Sequence, residues 1–340
     1  MSLLATEAIL RTEPLDAVPG EVIGSSREGR PIHGYRFGSG ASAISLIAGC
    51  HADEPVGPLL LGHLTAWLSG LDSRTPALRD YAWHLVPHVN PDGAECNRSW
   101  SEVTTACVDH LGEADRGYDL GSYLRSVVRE LPGDDIEFGF PRAPEDREAR
   151  VENRAVANFL RPHGPYVLHA SLHGMDIAPG PWFLMEESWS DRTSEMRDAL
   201  RGRVREMGYA LFDPDRGGEK GFRRIDAGFT SRPDSTAMTE HFLRLGDQET
   251  AGRFRPNSME FVRALGGDPL TLVSEMPLFL ALPDQDRDLR ARAREQGLRK
   301  AVESALAEGL RPMPIRDQMR LQLAFLDAAL EVIERSENPV

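Results

Sequence analysis

Ala43-Ile44-Ser45-Leu46-Ile47-Ala48-Gly49-Cys50-His51-Ala52-Asp53-Glu54 decides how this chain is read. Five of the first six residues are apolar, which suits a central strand covered on both faces. Gly49 ends the run, and His51 and Glu54 follow at its carboxyl end. An apolar, helix-favouring run over 56–67 begins at once, so the pattern is strand, turn, helix. In an open α/β sheet, ligands bind in the crevice at the carboxyl ends of strands. An imidazole and a carboxylate three residues apart at that position make half of a metal site, and their nitrogen-plus-oxygen mixture suits zinc with an open position. A polar helix start, with Glu54 favoured by the helix dipole, accounts for the same residues without a metal. A third ligand and a base elsewhere in the chain would separate the two readings.

Outward from this stretch, residues 33–37 alternate as an edge strand does, and a helix is expected over 55–69. Residues 81–89 form the next strand and close on Asn90-Pro91-Asp92-Gly93, a turn signature. Residues 96–145 have weak periodicity, and the cluster 133–141 marks a long functional loop or a covering subdomain. A helix over 147–161 leads to a strand over 166–172, ending at His173-Gly174. Residues 182–185 form a short strand and 190–207 an amphipathic helix. The stretch 213–235, rich in Gly, Asp and Arg, reads as a mobile or substrate-facing loop. Short helices near 236–244 and 257–264 precede a strand over 270–274, which ends at Glu275-Met276-Pro277. Two helices, about 285–308 and 315–335, complete the tail. The alternation predicts an α/β fold: a three-layer α/β/α domain over 31–282 with a mixed, mostly parallel central sheet. Residues 1–30 form an N-terminal lead-in, and 283–340 a helical extension packed on the domain or on a partner subunit.

With 41% hydrophobic residues among 340, the chain can bury a sizeable core. Its 39 basic and 53 acidic residues leave a net charge of −14, which argues against nucleic acid or an anionic membrane as the main partner. Cys50, Cys96 and Cys107 are too few and too scattered for a disulfide framework, and Cys50 reads as a small core hydrophobe. The first residues lack the pattern of a signal peptide, and no apolar run approaches the roughly 20 residues of a membrane span. The expectation is a soluble, cytoplasmic protein. No glycine-rich phosphate loop follows any strand, which excludes the common nucleotide-binding motifs.

Four strands in this reading end in residues of chemical interest: His51 with Glu54, the Asn90 turn, His173 and Glu275. His173 alone reads equally as a hydrogen-bonded core histidine, Glu275 alone as a solvent-facing carboxylate, and His169 as a packed residue within its strand. Taken together and in this order, they resemble the zinc metallocarboxypeptidase family over residues 30–280. The resemblance implies one Zn²⁺ held by His51, Glu54 and His173, with Glu275 as general base in amide hydrolysis. Arg98, eight residues after Asn90, corresponds either to the electrophilic arginine that polarises the scissile carbonyl or, with Asn97, to the Asn-Arg pair that grips a substrate carboxylate. The first is preferred, because Tyr118-Asp119-Leu120-Gly121-Ser122-Tyr123 looks like the family's Asp-Leu-Asn-Arg segment with Gly121-Ser122 in place of Asn-Arg. On that alignment Asp119 orients the first histidine ligand, as metal-bound histidine requires, and Ser122 faces substrate.

The departures shape the functional expectation. The carboxylate clamp is missing or supplied by Arg116, Arg125, Arg142 or the pair Arg223-Arg224, and no Tyr follows Tyr209 to match the family's mobile tyrosine. The leading expectation is a metallocarboxypeptidase acting on a peptide or amino-acid conjugate. The alternatives are an N-acyl amino acid deacylase of the succinylglutamate desuccinylase or aspartoacylase type, and a catalytically inactive zinc-binding protein. Homo-oligomerisation through the C-terminal helices is a further expectation.

Overall fold

Strand β3 (Ser42–Ala48) is buried at every residue, and its side chains divide between two cores. Ile44, Leu46 and Ala48 join one apolar cluster, and Ala43 and Ile47 another. The two-residue period of a strand sends alternate side chains to opposite faces, so β3 needs helices on both. The first face is covered by helices Val56–Ser69, Ser194–Glu206 and Ile315–Glu337, through residues such as Leu60, Leu200 and Phe325. The second is covered by Val151–Leu160 and Ser258–Ala264, through Val156, Phe159 and Val262. The computed structural model of the protein describes residues 3–14, 20–105, 117–282 and 289–337, and within them this is a three-layer α/β/α arrangement.

The sheet is mixed. β1 (Glu21–Ser25) and β2 (Pro31–Phe37) form an antiparallel edge, joined to β4 (Tyr81–Val86). The centre is parallel: β4, β3, β5 (Leu168–Ala178) and β9 (Leu270–Leu280). β6 (Trp182–Met185) returns antiparallel on β9, followed by β8 (Phe229–Ser231) and β7 (Arg224–Asp226). The two-residue β10 (Arg311–Pro312) pairs with the end of β9.

Three local expectations change. β5 and β9 do not stop at His173 and Glu275 but pair with each other as far as Ala178 and Leu280. Pro277 does not break β9 because it falls between the part paired with β6, up to Glu275, and the part paired with β10, from Phe279, where no ladder donor is needed. His173 and Glu275 therefore lie mid-strand and directly opposite each other, beside the point where the shorter β3 has ended. Asn90-Pro91-Asp92-Gly93 opens helix Pro91–Thr105 and is not a β-turn: Asn90 Oδ1 accepts from Gly93 N at 2.9 Å, a helix cap followed by proline in the first turn.

The tail helix Ile315–Glu337 belongs to the main apolar cluster. Its buried Gln322 donates from Nε2 to the His173 carbonyl at 3.2 Å and to Ser274 Oγ at 3.1 Å. The tail thus packs against the back of the two central strands. The expected helix 285–308 is two, Leu289–Gln296 and Leu298–Ala307, separated at Gly297 with φ 86°, and residues 285–288 lie outside the described residues.

Candidate metal centre

At the end of β3 the chain turns through Gly49, whose φ is +70° and whose missing side chain leaves room for the His88 ring. This turn brings His51 and Glu54 beside His173 on the neighbouring β5. His51 Nδ1 lies 2.7 Å from Glu54 Oε1, His173 Nδ1 lies 3.0 Å from Glu54 Oε2, and the two Nδ1 atoms are 3.2 Å apart. The outward nitrogens are also engaged: His51 Nε2 lies 3.1 Å from Glu137 Oε2, and His173 Nε2 lies 2.7 Å from Ser171 Oγ. Both rings are therefore fixed with Nδ1 facing inward.

Bonds of about 2.0–2.2 Å at tetrahedral angles place zinc ligand atoms about 3.3–3.6 Å apart, close to the Nδ1 separation here. Glu54 Oε2 is buried and makes no properly aligned hydrogen bond, a costly arrangement for a carboxylate oxygen that a cation would relieve. Electrostatics agree. Burial works against charging His51 and His173, yet Glu54, with Glu137, raises both well above the usual histidine range. Burial would also raise Glu54, and the two imidazoles instead hold it far below a normal carboxylate. The cluster is a place that stabilises positive charge, and its two nitrogens and one carboxylate fit zinc. His51, Glu137 and His173 also bring one potential ligand atom each within 4.8 Å of one another. Glu137, however, meets the far nitrogen of His51, whereas Glu54 sits between the two inward nitrogens.

A cavity of about 500 Å³ opens in front of the cluster, lined by His51, Glu54, Glu275, Arg129, Glu130, Asp135, Glu137 and Trp182, among others. Burial, and then the charge of Glu54, push Glu275 up to about 8. Arg129 contacts Asp53 at 2.8 Å and Asp176 at 3.1 Å. From the stretch 213–235, Arg216, Phe222 and Pro233 reach the cavity, so that stretch does face it, but it is not a loop throughout, since it contains β7 and β8.

The structure does not bring Arg98, Asn97, Asp119 or Ser122 to this place. Arg98 is exposed on helix Pro91–Thr105, paired with Glu95 and, at 3.3 Å, with Glu102. Asn97 faces the other way: its Nδ2 donates to the carbonyls of Ala52, Gly93 and Val128, and its Oδ1 accepts from Trp100 and Val128. A helix turns 100° per residue, so with Gly93, Asn97 and Trp100 on the inner face, Arg98 must point away. Asp119 caps the short helix Leu120–Ser126 by accepting from Ser122 N at 2.7 Å, which accounts for both residues. The segment that reaches the cavity is Asp135-Ile136-Glu137-Phe138. It too is an Asp followed by an aliphatic residue, but an acid and a phenyl ring follow in place of an amide and a guanidinium.

Among the expected carboxylate clamps, Arg142 donates to the Phe254 carbonyl, Arg223 pairs with Glu187 and Arg224 with Asp213. None of the three, nor Arg125, lines the cavity, and Arg116 and Cys107 lie outside the described residues. Cys50 is buried with Sγ 3.8 Å from Ser171 Oγ. His169 sits between Ser45 Oγ and Ser258 Oγ, at 2.7 and 2.9 Å, away from the cluster. Sequence reasoning missed Arg129, Asp135 and Glu137. The available signal was a second Asp-aliphatic pair, inside a cluster already marked as a functional loop.

A family model described as zinc carboxypeptidase matches residues 10–182, more than half of the chain. The match takes in His51, Glu54, Glu137 and His173 and ends before Glu275. Zinc carboxypeptidase A 1 of Drosophila melanogaster is 26% identical over 165 residues, which is 44% of this chain and 37% of that protein. A metallo-carboxypeptidase structure from Burkholderia cenocepacia superposes with a TM-score of 0.50 at 16% identity, covering 97% of this chain and 67% of that one, a likeness of fold.

Proposed function

This chain belongs to the zinc carboxypeptidase family, and from that premise we propose that it is a zinc-dependent hydrolase of an amide bond. The observation that carries the reading is the convergence of two Nδ1 atoms on one carboxylate, with Glu275 in the same cavity. His51, Glu54 and His173 would hold the ion. Zinc bound there supplies a Lewis acid that lowers the pKa of a water toward roughly 7. Glu137 and Ser171 keep the two imidazoles in the tautomer and orientation that ligation needs. Glu275 removes a proton from the attacking water and passes it to the leaving amine. Its raised pKa in the metal-free protein reflects burial and negative neighbours, and a nearby cation favours the ionised form that a base requires. Arg129, partly exposed in the cavity and anchored by Asp53, takes the polarising role first expected of Arg98. It would donate to the carbonyl oxygen as negative charge develops there.

Glu275→Gln tests the assignment. It should keep a full complement of zinc by metal analysis and lose at least about a hundredfold in turnover of an amide panel. Turnover near that of the wild type would remove Glu275 from the mechanism. Zinc bound without hydrolysis by the wild-type protein, on peptides and N-acyl amino acids alike, would favour a non-catalytic role.

A further inference from the structure

Among the described residues, six carboxylates line the cavity, those of Asp53, Glu54, Glu130, Asp135, Glu137 and Glu275, against the guanidiniums of Arg129 and Arg216. Both guanidiniums already hold acids. Arg129 lies between Asp53 and Asp176, and Arg216 pairs with Glu219 at 3.3 Å while lying 4.4 Å over the Phe222 ring. With all six ionised, two guanidiniums and a divalent ion leave this described lining two negative charges in excess. The remaining wall is aromatic and apolar, with Trp182 and Phe222 rings 5.2 Å apart. A cation entering this space gains from ring faces and carboxylates together. A free carboxylate would enter against the field and would compete with the acids that these guanidiniums already hold.

The place of Arg216 shows that this wall accommodates a guanidinium on an aromatic face. Of the lining acids outside the histidine cluster and the proton-transfer machinery, Asp53 is held by Arg129 and Asp135 accepts from Phe138 N at 3.2 Å, so Glu130 is the acid best placed to receive one from a ligand. Its two oxygens lie 3.0 Å from Asn90 Nδ2, which fixes the carboxylate, and Arg150 reaches only to 3.9 Å.

Resting on the reading that amide cleavage occurs in this cavity, we propose that the substrate is recognised through a cationic group, an alkylammonium or a guanidinium, held by Glu130 and the aromatic wall. A free carboxylate on the leaving amine is not the recognised feature. Both classes first expected, carboxypeptidase and N-acyl amino acid deacylase, release an amine that carries a carboxylate, so the proposal departs from both. Glu130 is the specificity-determining residue.

Calorimetric titration of the zinc-loaded protein tests this with agmatine, a guanidinium without a carboxylate, and 3-phenylpropionate, a carboxylate without a cation. Agmatine should bind at least about tenfold more tightly. Glu130→Gln keeps an acceptor for Asn90 and should weaken agmatine about five- to tenfold, leaving 3-phenylpropionate binding and zinc content unchanged. Equal or tighter binding of 3-phenylpropionate, or an agmatine Kd untouched by Glu130→Gln, overturns the proposal. Hydrolysis of hippuryl-agmatine and hippuryl-arginine separates a carboxylate-free amine from a basic amino acid as source of the cation. Hippuryl-agmatine cleaved faster than hippuryl-phenylalanine supports the proposal; the reverse order, or cleavage of hippuryl-arginine with hippuryl-agmatine left intact, overturns it. Glu130-dependent agmatine binding without turnover of any amide supports the recognition and overturns the hydrolytic reading alone.

Discussion

The ligand wall of the cavity is built by the turn after β3 and by β5, β6 and β9, and the facing wall by residues 129–138 together with parts of 213–235. On the first wall, side-chain positions follow from strand geometry. β3 is buried throughout, its partners are set in parallel register, and the turn after Ala48 places His51 and Glu54 beside β5. On the second wall nothing comparable fixes the backbone. Residues 131–141 are pinned by scattered contacts instead: Asn153 Nδ2 donates to the Ile136 carbonyl at 2.7 Å, Phe140 N to the Pro256 carbonyl at 3.0 Å, and Arg255 N to the Phe138 carbonyl at 3.0 Å. Regular elements repeat a pattern that sequence displays, whereas loops held by distant partners do not.

That difference explains what could be read beforehand. His51, Glu54, His173 and Glu275 were legible because each follows or interrupts an apolar run; in the structure His51, Glu54 and Glu275 line one cavity, and buried His173 meets Glu54 at 3.0 Å. Arg98 and Asp119 were read from spacing after a motif, in a region of weak periodicity, and the structure sends both elsewhere. For Arg98 the helical phase decided: Asn90 caps a helix whose inner face takes Asn97. For Asp119 only the first Asp-aliphatic pair was read; the second, Asp135-Ile136, reaches the cavity through long-range contacts that are invisible in local sequence. The full lengths of β5 and β9 were hidden for a related reason, since Gly174 and Pro277 read as strand ends unless the pairing partners are known.

The comparison is most exposed at the two arginines. If the facing wall acts as proposed, Arg129→Ala lowers kcat by about 10²–10³, the usual cost of removing one oxyanion donor, with KM changed less. Arg98→Ala should leave kcat within about twofold, since exposed ion pairs of this kind contribute about 0–1 kcal/mol to stability and Arg98 does not line the cavity. Steady-state kinetics on any cleaved amide would decide, and a large loss from Arg98→Ala with little from Arg129→Ala would reverse the assignment.

Glu137 joins the two walls, since it comes from the loop and meets His51 Nε2 at 3.1 Å. As an orienting partner, its replacement in Glu137→Gln should weaken zinc affinity about 10- to 100-fold, measured by competition with a chelator, while the protein still binds one ion. As a direct ligand in place of Glu54, it would be the residue whose loss abolishes stoichiometric binding, and Glu54→Gln would then be the milder change. The order of the two variants therefore discriminates between the ligand sets that the geometry allows.

Asp119 offers the smallest and most selective test. Its carboxylate accepts from Ser122 N at 2.7 Å and it lies outside the cavity lining, so its contribution is that of a helix cap. Asp119→Ala should cost about 1 kcal/mol of stability, read as a lowered denaturant midpoint at unchanged slope. Zinc affinity should stay where it was, because the outward nitrogens of His51 and His173 are taken by Glu137 and Ser171. A fall in zinc affinity comparable to that of Glu137→Gln would mean that Asp119 reaches the histidines in the metal-bound protein. The facing wall would then extend to helix Leu120–Ser126, beyond the segment that meets His51 here.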